Sequence, residues 1–281
     1  MSAGSKWRIL WECVLAMMVV GILGLLSAER VRAQSSDEFD EYKVRISGAY
    51  LYSWPSGSVK GTADQVPVDF QRDLGFSAYS TGGARFDWKF THKNHFYVVF
   101  NPFYTSKTVV LDRTITYQGQ TFEVGGTVNG SLHSYFVAPG YQYDFIRRRR
   151  GHLGIAVQAN LFNATAKITA TGQVSGGAVG GGTTSASGSL LAPIPVAGPE
   201  FRVYLTDSPR VFLEGNVYGM YFFGYGNFVS SAGSLGFTLT RHISVGAGYT
   251  LASRLNVNGS SDRLAFDLTQ KGPLANVEFS F

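Results

Sequence analysis

His133 and Ser134 are adjacent, the closest approach of an imidazole base to a hydroxyl nucleophile in the sequence. A serine hydrolase needs such a pair hydrogen-bonded together, with a third group orienting the base. Neighbours on a strand point to opposite faces, so this pair reads as incidental. A rim protease built on acids and an Asp–His pair would draw on Asp112, Glu123 and Asp262, but no His stands two residues from an acid there. The five His are scattered without an HxH or HxxxH spacing, which gives no metal site. The Gly-rich stretch 171–189 lacks the Lys-Ser/Thr ending of a phosphate-binding loop. The sequence therefore offers no catalytic residue, no cofactor site and no metal site, and a non-enzymatic role is expected. Residues 34–281 carry 20 basic and 17 acidic side chains, and a formal charge of +3 gives no nucleic-acid footprint either.

The elements that would have to position any site begin after a leader. Lys6 and Arg8 precede an apolar run densest from Val14 to Leu26, and Val31-Arg32-Ala33 supplies a cleavage pattern after Ala33. This reads as a secretory signal peptide over 1–33, the run being short for a spanning helix; an uncleaved anchor is the alternative. Residues 34–42 are then a short periplasmic segment, and 43–281 one large domain. Cleavage removes Cys13, the sole cysteine, so no disulfide is available in an oxidising compartment. Charged residues make up only 15% of the chain, with 14% aromatic and 34 Gly. Water-facing surfaces usually carry about a quarter to a third charged residues, so something other than water should cover much of this one.

Period-two alternation dominates the rest. Val44, Ile46, Tyr50, Tyr52 and Trp54 share one face, as do Phe86, Trp88 and Phe90, and later Ile243, Val245, Ala247, Tyr249 and Leu251. Ten strands result, eight and twelve being the neighbouring even counts. Short connections at 91–95, 146–152, 206–210 and 241–242 alternate with mostly long ones at 55–79, 106–127, 167–192 and 255–263. The connection near Tyr225 is short where a long one is due. Both termini then lie on the short-turn side, the layout of an all-β, closed, antiparallel up-and-down transmembrane barrel. In the last strand the apolar set moves from even positions (Leu264, Phe266, Leu268) to odd ones (Val277, Phe279, Phe281). A bulge at Lys271–Pro273 would absorb that one-residue slip. Arg147–Arg150 reads as a solvated turn, or second as a contact with anionic headgroups.

Bulky side chains facing hydrocarbon, with Tyr and Trp at headgroup level, fit the composition better than a crowded aromatic interior. The opposite faces then bring Arg45, Arg85, Lys89 and Arg202 into the lumen with Asp87, Asp144, Glu200, Glu214 and Glu278. This near-balance suits ion pairs more than a sign-selective pore, and a barrel of about ten strands is narrow enough for side chains to fill. The lumen should be plugged or very narrow. Residues 66–77 look ordered enough to cover the mouth. Residues 111–126 read as an external hairpin turning at Gln118-Gly119-Gln120, and the Gly-rich 171–189 as a flexible external loop.

The ending, Val277, Phe279 and Phe281 alternating with polar residues, resembles the C-terminal signal of outer-membrane barrels. That resemblance implies a partner, the barrel-assembly machinery. The whole 43–281 region resembles small bacterial outer-membrane barrels of the OmpA-type transmembrane class, without that family's peptidoglycan-binding domain. It implies residence in the outer membrane among its lipids and lipopolysaccharide, and no specific activity. The leading expectation is a structural or surface-interaction role through external loops with an unnamed ligand. A narrow porin-like channel for small solutes comes second, and a barrel enzyme third.

Overall fold

The computed structural model describes residues 39–62, 66–171, 183–207, 210–222, 224–258 and 264–281, and among them every regular element is a strand. The signal-peptide reading falls on residues outside this set. In chain order the strands are β1 (Val44–Lys60), β2 (Val68–Asp69), β3 (Tyr79–Lys89), β4 (Asn94–Val110), β5 (Ile115–Tyr117), β6 (Gln120–Phe122), β7 (Thr127–Arg148), β8 (Gly151–Thr171), β9 (Thr183–Tyr204), β10 (Val211–Phe222), β11 (Gly226–Thr238), β12 (Ile243–Val257) and β13 (Ala265–Ser280). Each barrel strand pairs antiparallel with the next, and β13 returns to β1 through Ile46↔Phe279 and Gly48↔Val277. Leaving aside β2, β5 and β6, ten strands form one closed ring.

Closure and facing have one cause. A backbone in hydrocarbon must satisfy every N–H and C=O within the structure, which a ring of strands achieves by having no edge. The outer face carries the bulky residues: Val157, Val217 and Leu235 are about half exposed, at 53%, 51% and 54%. Trp88, Phe90 and Tyr141 cluster at the short-turn ends, with Trp88 and Phe90 5.7 Å apart, and Tyr52 meets Trp54 at 5.3 Å near the other side. These are the girdles of a membrane-spanning barrel.

The wall is uneven in height. A strand crosses a bilayer in about 9–11 residues. β10 has 12 and β11 has 13, whereas β7 and β9 each have 22, some 70 Å at about 3.3 Å per residue. Much of the expected 167–192 loop is therefore strand, since β8 and β9 pair as far as Thr171↔Thr183. Residues 172–182 lie outside the described set.

The expected bulge at Lys271–Pro273 is absent. β13 keeps its even residues inward throughout, from Phe266 to Glu278. Its apolar set changes face because the lumen changes chemistry with height, apolar above and charged below. The bulges lie elsewhere. Thr250 and Ser253 pair with Gly272 and Gln270, which leaves an extra residue in β12 near Leu251. Asp144 and Ile146 pair with Gly154 and Leu153, which leaves one in β7 at Phe145. The β7 bulge turns Arg147 inward, and its side chain is only 3% exposed. This corrects the reading of Arg147 as part of a solvated turn.

Two neighbouring residues of β10 test the facing. Val217→Arg puts a charge against hydrocarbon at a cost of about 2–4 kcal/mol and should prevent stable insertion. Asn216→Ser, on the lumen side, should insert normally. Heat-modifiable gel mobility reads both, and equal behaviour would overturn the facing.

Candidate functional site: a lumen filled from both ends

The side chains that fill the short-turn half of the lumen form a continuous layer of ion pairs. Arg202 bridges Glu278, at 2.6 Å, and Glu214, and lies 3.7 Å from Asp40. Arg45 pairs with Asp40 and lies 3.9 Å from Glu278. Arg85 reaches Glu200 at 2.8 Å and Asp87 at 3.0 Å. His95 sits between Asp87 and Asp144, with Nδ1 3.2 Å from one carboxylate and Nε2 2.8 Å from the other. Arg147 closes on Asp144 at 2.9 Å. Lys89 donates to the Asp40 carbonyl at 2.9 Å and lies 3.8 Å above the Tyr42 ring. All nine charged positions proposed from alternation thus point into the lumen and share one network.

Sequence reasoning missed the residues that join these pairs. Asp40 and Tyr42 precede β1, yet both are buried: Asp40 holds Arg45 and His152, and the Tyr42 hydroxyl donates to Asp87 at 3.0 Å. The stretch 39–42 is therefore part of the barrel filling, tied in by Phe39 N–H to the Arg149 carbonyl and by Arg149 and Arg210 over the Phe39 ring. Burial pushes the Asp40 carboxyl up, but the guanidinium of Arg45 and the His152 contact outweigh it and hold it well below the usual range. His95, Gln142, His152 and Gln158 were legible as inward residues by parity, although nothing in sequence joined them to partners. Tyr97 can lie flat across the lumen because Gly140 leaves room, where a Cβ would come within 2.4 Å of the ring. Arg85 stacks 4.2 Å over that ring.

The opposite half is filled by apolar residues from two loops that fold into the mouth. In the first, Phe70, Leu74 and Phe76 are buried, with Val68 paired to Val59. In the second, β5 and β6 form a two-residue hairpin whose Gln118 and Gly119 take φ of 52° and 73°, the left-handed geometry such turns require. Ile115, Tyr117 and Phe122 pack inward against wall residues such as Ile168, Leu264 and Phe266. The two loops are joined where Arg113 donates to Asp73 at 2.6 and 2.9 Å. The segment read as covering the mouth thus fills it, and the hairpin read as external packs inside.

A space of about 230 Å³ lies within the charged layer, against Arg45, Asp87, Arg202 and Glu278, and one of about 340 Å³ lies between that layer and the apolar plug; Arg85 and Asn216 line both. Among the described residues no group of three or more His, Cys, Asp or Glu is arranged to hold a metal ion. His133 meets Tyr104 edge-to-face at 4.3 Å on the outer face while Ser134 lines the inner space, so they cannot act together. Glu123 accepts from Thr114, and Asp262 lies outside the described residues. Val277, Phe279 and Phe281 occupy the outer side of the closing strand, with Phe281 bonded to Val44 in both directions.

Two outcomes test the filling. Arg202→Met leaves Glu214 without its cation and Glu278 with only the longer Arg45 contact, and should cost about 3–5 kcal/mol in urea unfolding. Arg150→Ala, at a half-exposed pair with Asp207, should cost about 0–1 kcal/mol. In the mouth, burial raises the Asp73 carboxyl, but bonds from Arg113 and Arg72 outweigh it and hold it at about 2. The loop contact is at full strength above the ordinary value of 3.8 and is lost as pH falls through about 2. Pepsin cleavage within 66–78 should appear over that interval, and Arg113→Gln should be cleaved throughout it.

No family model matches the chain, and no curated protein matches it. Among solved structures, the outer-membrane protease OmpT of Escherichia coli superposes with a TM-score of 0.58 at 10% identity, covering 88% of this chain and all of that one. The P. putida toluene transporter TodX superposes at 0.34 with 8% identity, covering 86% and 91%. Ail of Yersinia pestis, bound to a heparin analogue, superposes at 0.34 with 13% identity, covering 84% and 99%. Identities this low speak to fold and leave activity open. The chain has the ten-stranded transmembrane barrel fold found among bacterial outer-membrane proteins.

Proposed function

We propose that this protein is an integral outer-membrane barrel that does not conduct along its axis and works as a structural or surface-interaction protein. One observation carries the reading: the lumen is filled by paired charges at the short-turn end and by two docked loops at the other. An aqueous pore needs a continuous wet path; the space of about 230 Å³ within the charged layer is walled by groups paired to one another, and the docked loops close the other end. The side chains of Asp40, Asp144 and Arg202 are 3%, 0% and 5% exposed. At the mouth Phe70 and Tyr117 are fully buried. The tall β7–β9 wall and the loops around it provide the face that meets external partners. Lipids and lipopolysaccharide surround the outer band, and the assembly machinery reads Val277, Phe279 and Phe281 on β13. The protein is non-enzymatic in this reading.

Planar-bilayer recording tests it. The full-length barrel should show no steady conductance, and deleting 112–123 alone should leave it silent because the charged layer remains. Steady current through the wild type would replace this reading with that of a narrow solute channel.

A further inference from the structure

The seam between β9 and β10 is one of the two shortest ladders in the wall, the other being β3–β4. Their ladder runs only from Ala197 to Tyr204 on β9, whereas β8 and β9 pair along their whole length. From Thr183 to Val196, β9 has a ladder only with β8 among the described residues. Within that stretch Pro193 and Pro195 each lack a backbone donor, as residues on an open edge can. Parting the wall there breaks few hydrogen bonds, which is the usual obstacle to a sideways opening in a membrane.

The seam opens at a defined depth. β10 is just long enough to cross the bilayer. Tyr221 and Tyr225, each 62% exposed, mark the external interface where it ends. At this level an apolar recess of about 330 Å³ lies against Leu191, Pro193, Pro195, Tyr225 and Val257. Its inner wall includes Ile194 and Leu255, which also line the 340 Å³ space in the middle of the barrel. These shared side chains lie between the recess and the lumen.

The inner space has two chemistries. Phe103, Phe162, Phe228 and Leu268 line it toward the plug. Gln158 and Asn216 lie toward the charged layer, with Asn101 at the side. The side chains of Asn101 and Asn216 make no hydrogen bond among the described residues and are free to meet a ligand. Arg85 is already held by Glu200 and Asp87, so no spare cation awaits an anion. The volume is at the small end of ligand pockets.

We propose that the barrel binds a neutral single-chain amphiphile in this space, its chain among the Phe side chains and its hydroxyl or amide head at Asn101 and Asn216. The ligand passes sideways between the outer leaflet and the lumen through the β9–β10 seam. This rests on the axially closed reading, because sealed ends leave the seam as the route.

The test uses the full-length barrel in phosphatidylcholine vesicles with a diazirine-bearing long-chain alcohol. After illumination, label should fall on Phe162, Phe228 and Leu268. It should be lost in Ile194→Trp, which blocks the shared wall, and in Ser230→Phe, which fills the space from β11. Leu213→Trp, on the outer face, should leave it unchanged. Heat-modifiable mobility identifies which variants fold. Label confined to Val217 and Leu235, or interior label that survives in every folded blocking variant, overturns the proposal. Equal interior labelling by the matching carboxylic acid overturns the neutral head, and preferential labelling by a diazirine phospholipid assigns the space to a lipid chain instead. Steady conductance across the same vesicles would overturn the closed-barrel reading and with it the sideways route. A silent barrel without interior label overturns the seam proposal alone.

Discussion

Hydrocarbon gives a polypeptide backbone nothing to hydrogen-bond, and the rest of this molecule follows from that. The strands must close, which they do where β13 meets β1. Once ten strands have closed, the interior is narrow enough for side chains to fill. Every inward residue then meets other inward residues at short range. A charge there needs a partner, and an apolar group there needs apolar neighbours. Filling such a space with unsorted residues would strand buried charges, at several kcal/mol each. The observed answer is segregation by height.

That segregation explains features that look unrelated. The residues before β1 turn back beneath the barrel because Asp40 and Tyr42 complete pairs that the wall leaves open, with Arg45, His152 and Asp87. The bulge in β7 brings Arg147 into the same layer. At the other end the wall rises beyond hydrocarbon depth, and its inner face is as apolar as a soluble core. The two loops complete that core as a helix or second sheet would elsewhere. Ion pairs of this buried kind add little net stability over well-packed apolar residues, and their attested value is in fixing one arrangement.

Alternation made much of this legible, because period two reports facing directly. Val217 out and Asn216 in needed only the pattern, and so did the inward charges from Arg45 to Glu278. Three things escaped it. The pattern assumes one interior chemistry, so Leu264, Phe266 and Leu268 looked like a change of face when they mark a change of surroundings. A bulge between two apolar residues leaves no mark, so Phe145–Ile146 concealed the turn that carries Arg147 inward. Partnership across strands is invisible along the chain: His95 stands 8 residues from Asp87 and 49 from Asp144, and only the ring of strands brings the three together. The plug was half visible, since Val68 and Phe70 show the alternation of an ordered segment, although Val66, on the same face of that pattern, is 56% exposed.

The inequality of the wall gives the molecule a direction in the plane of the membrane. A cylinder of even height looks the same from every bearing in the plane of the membrane, but this one does not. On the side of β7, β8 and β9 a rampart stands above the lipid, while immediately beside it β10 and β11 barely clear the surface. Neighbours drifting in the leaflet therefore meet a barrier on one bearing and a low sill on another. The molecule has a front and a back although its strands close in a circle.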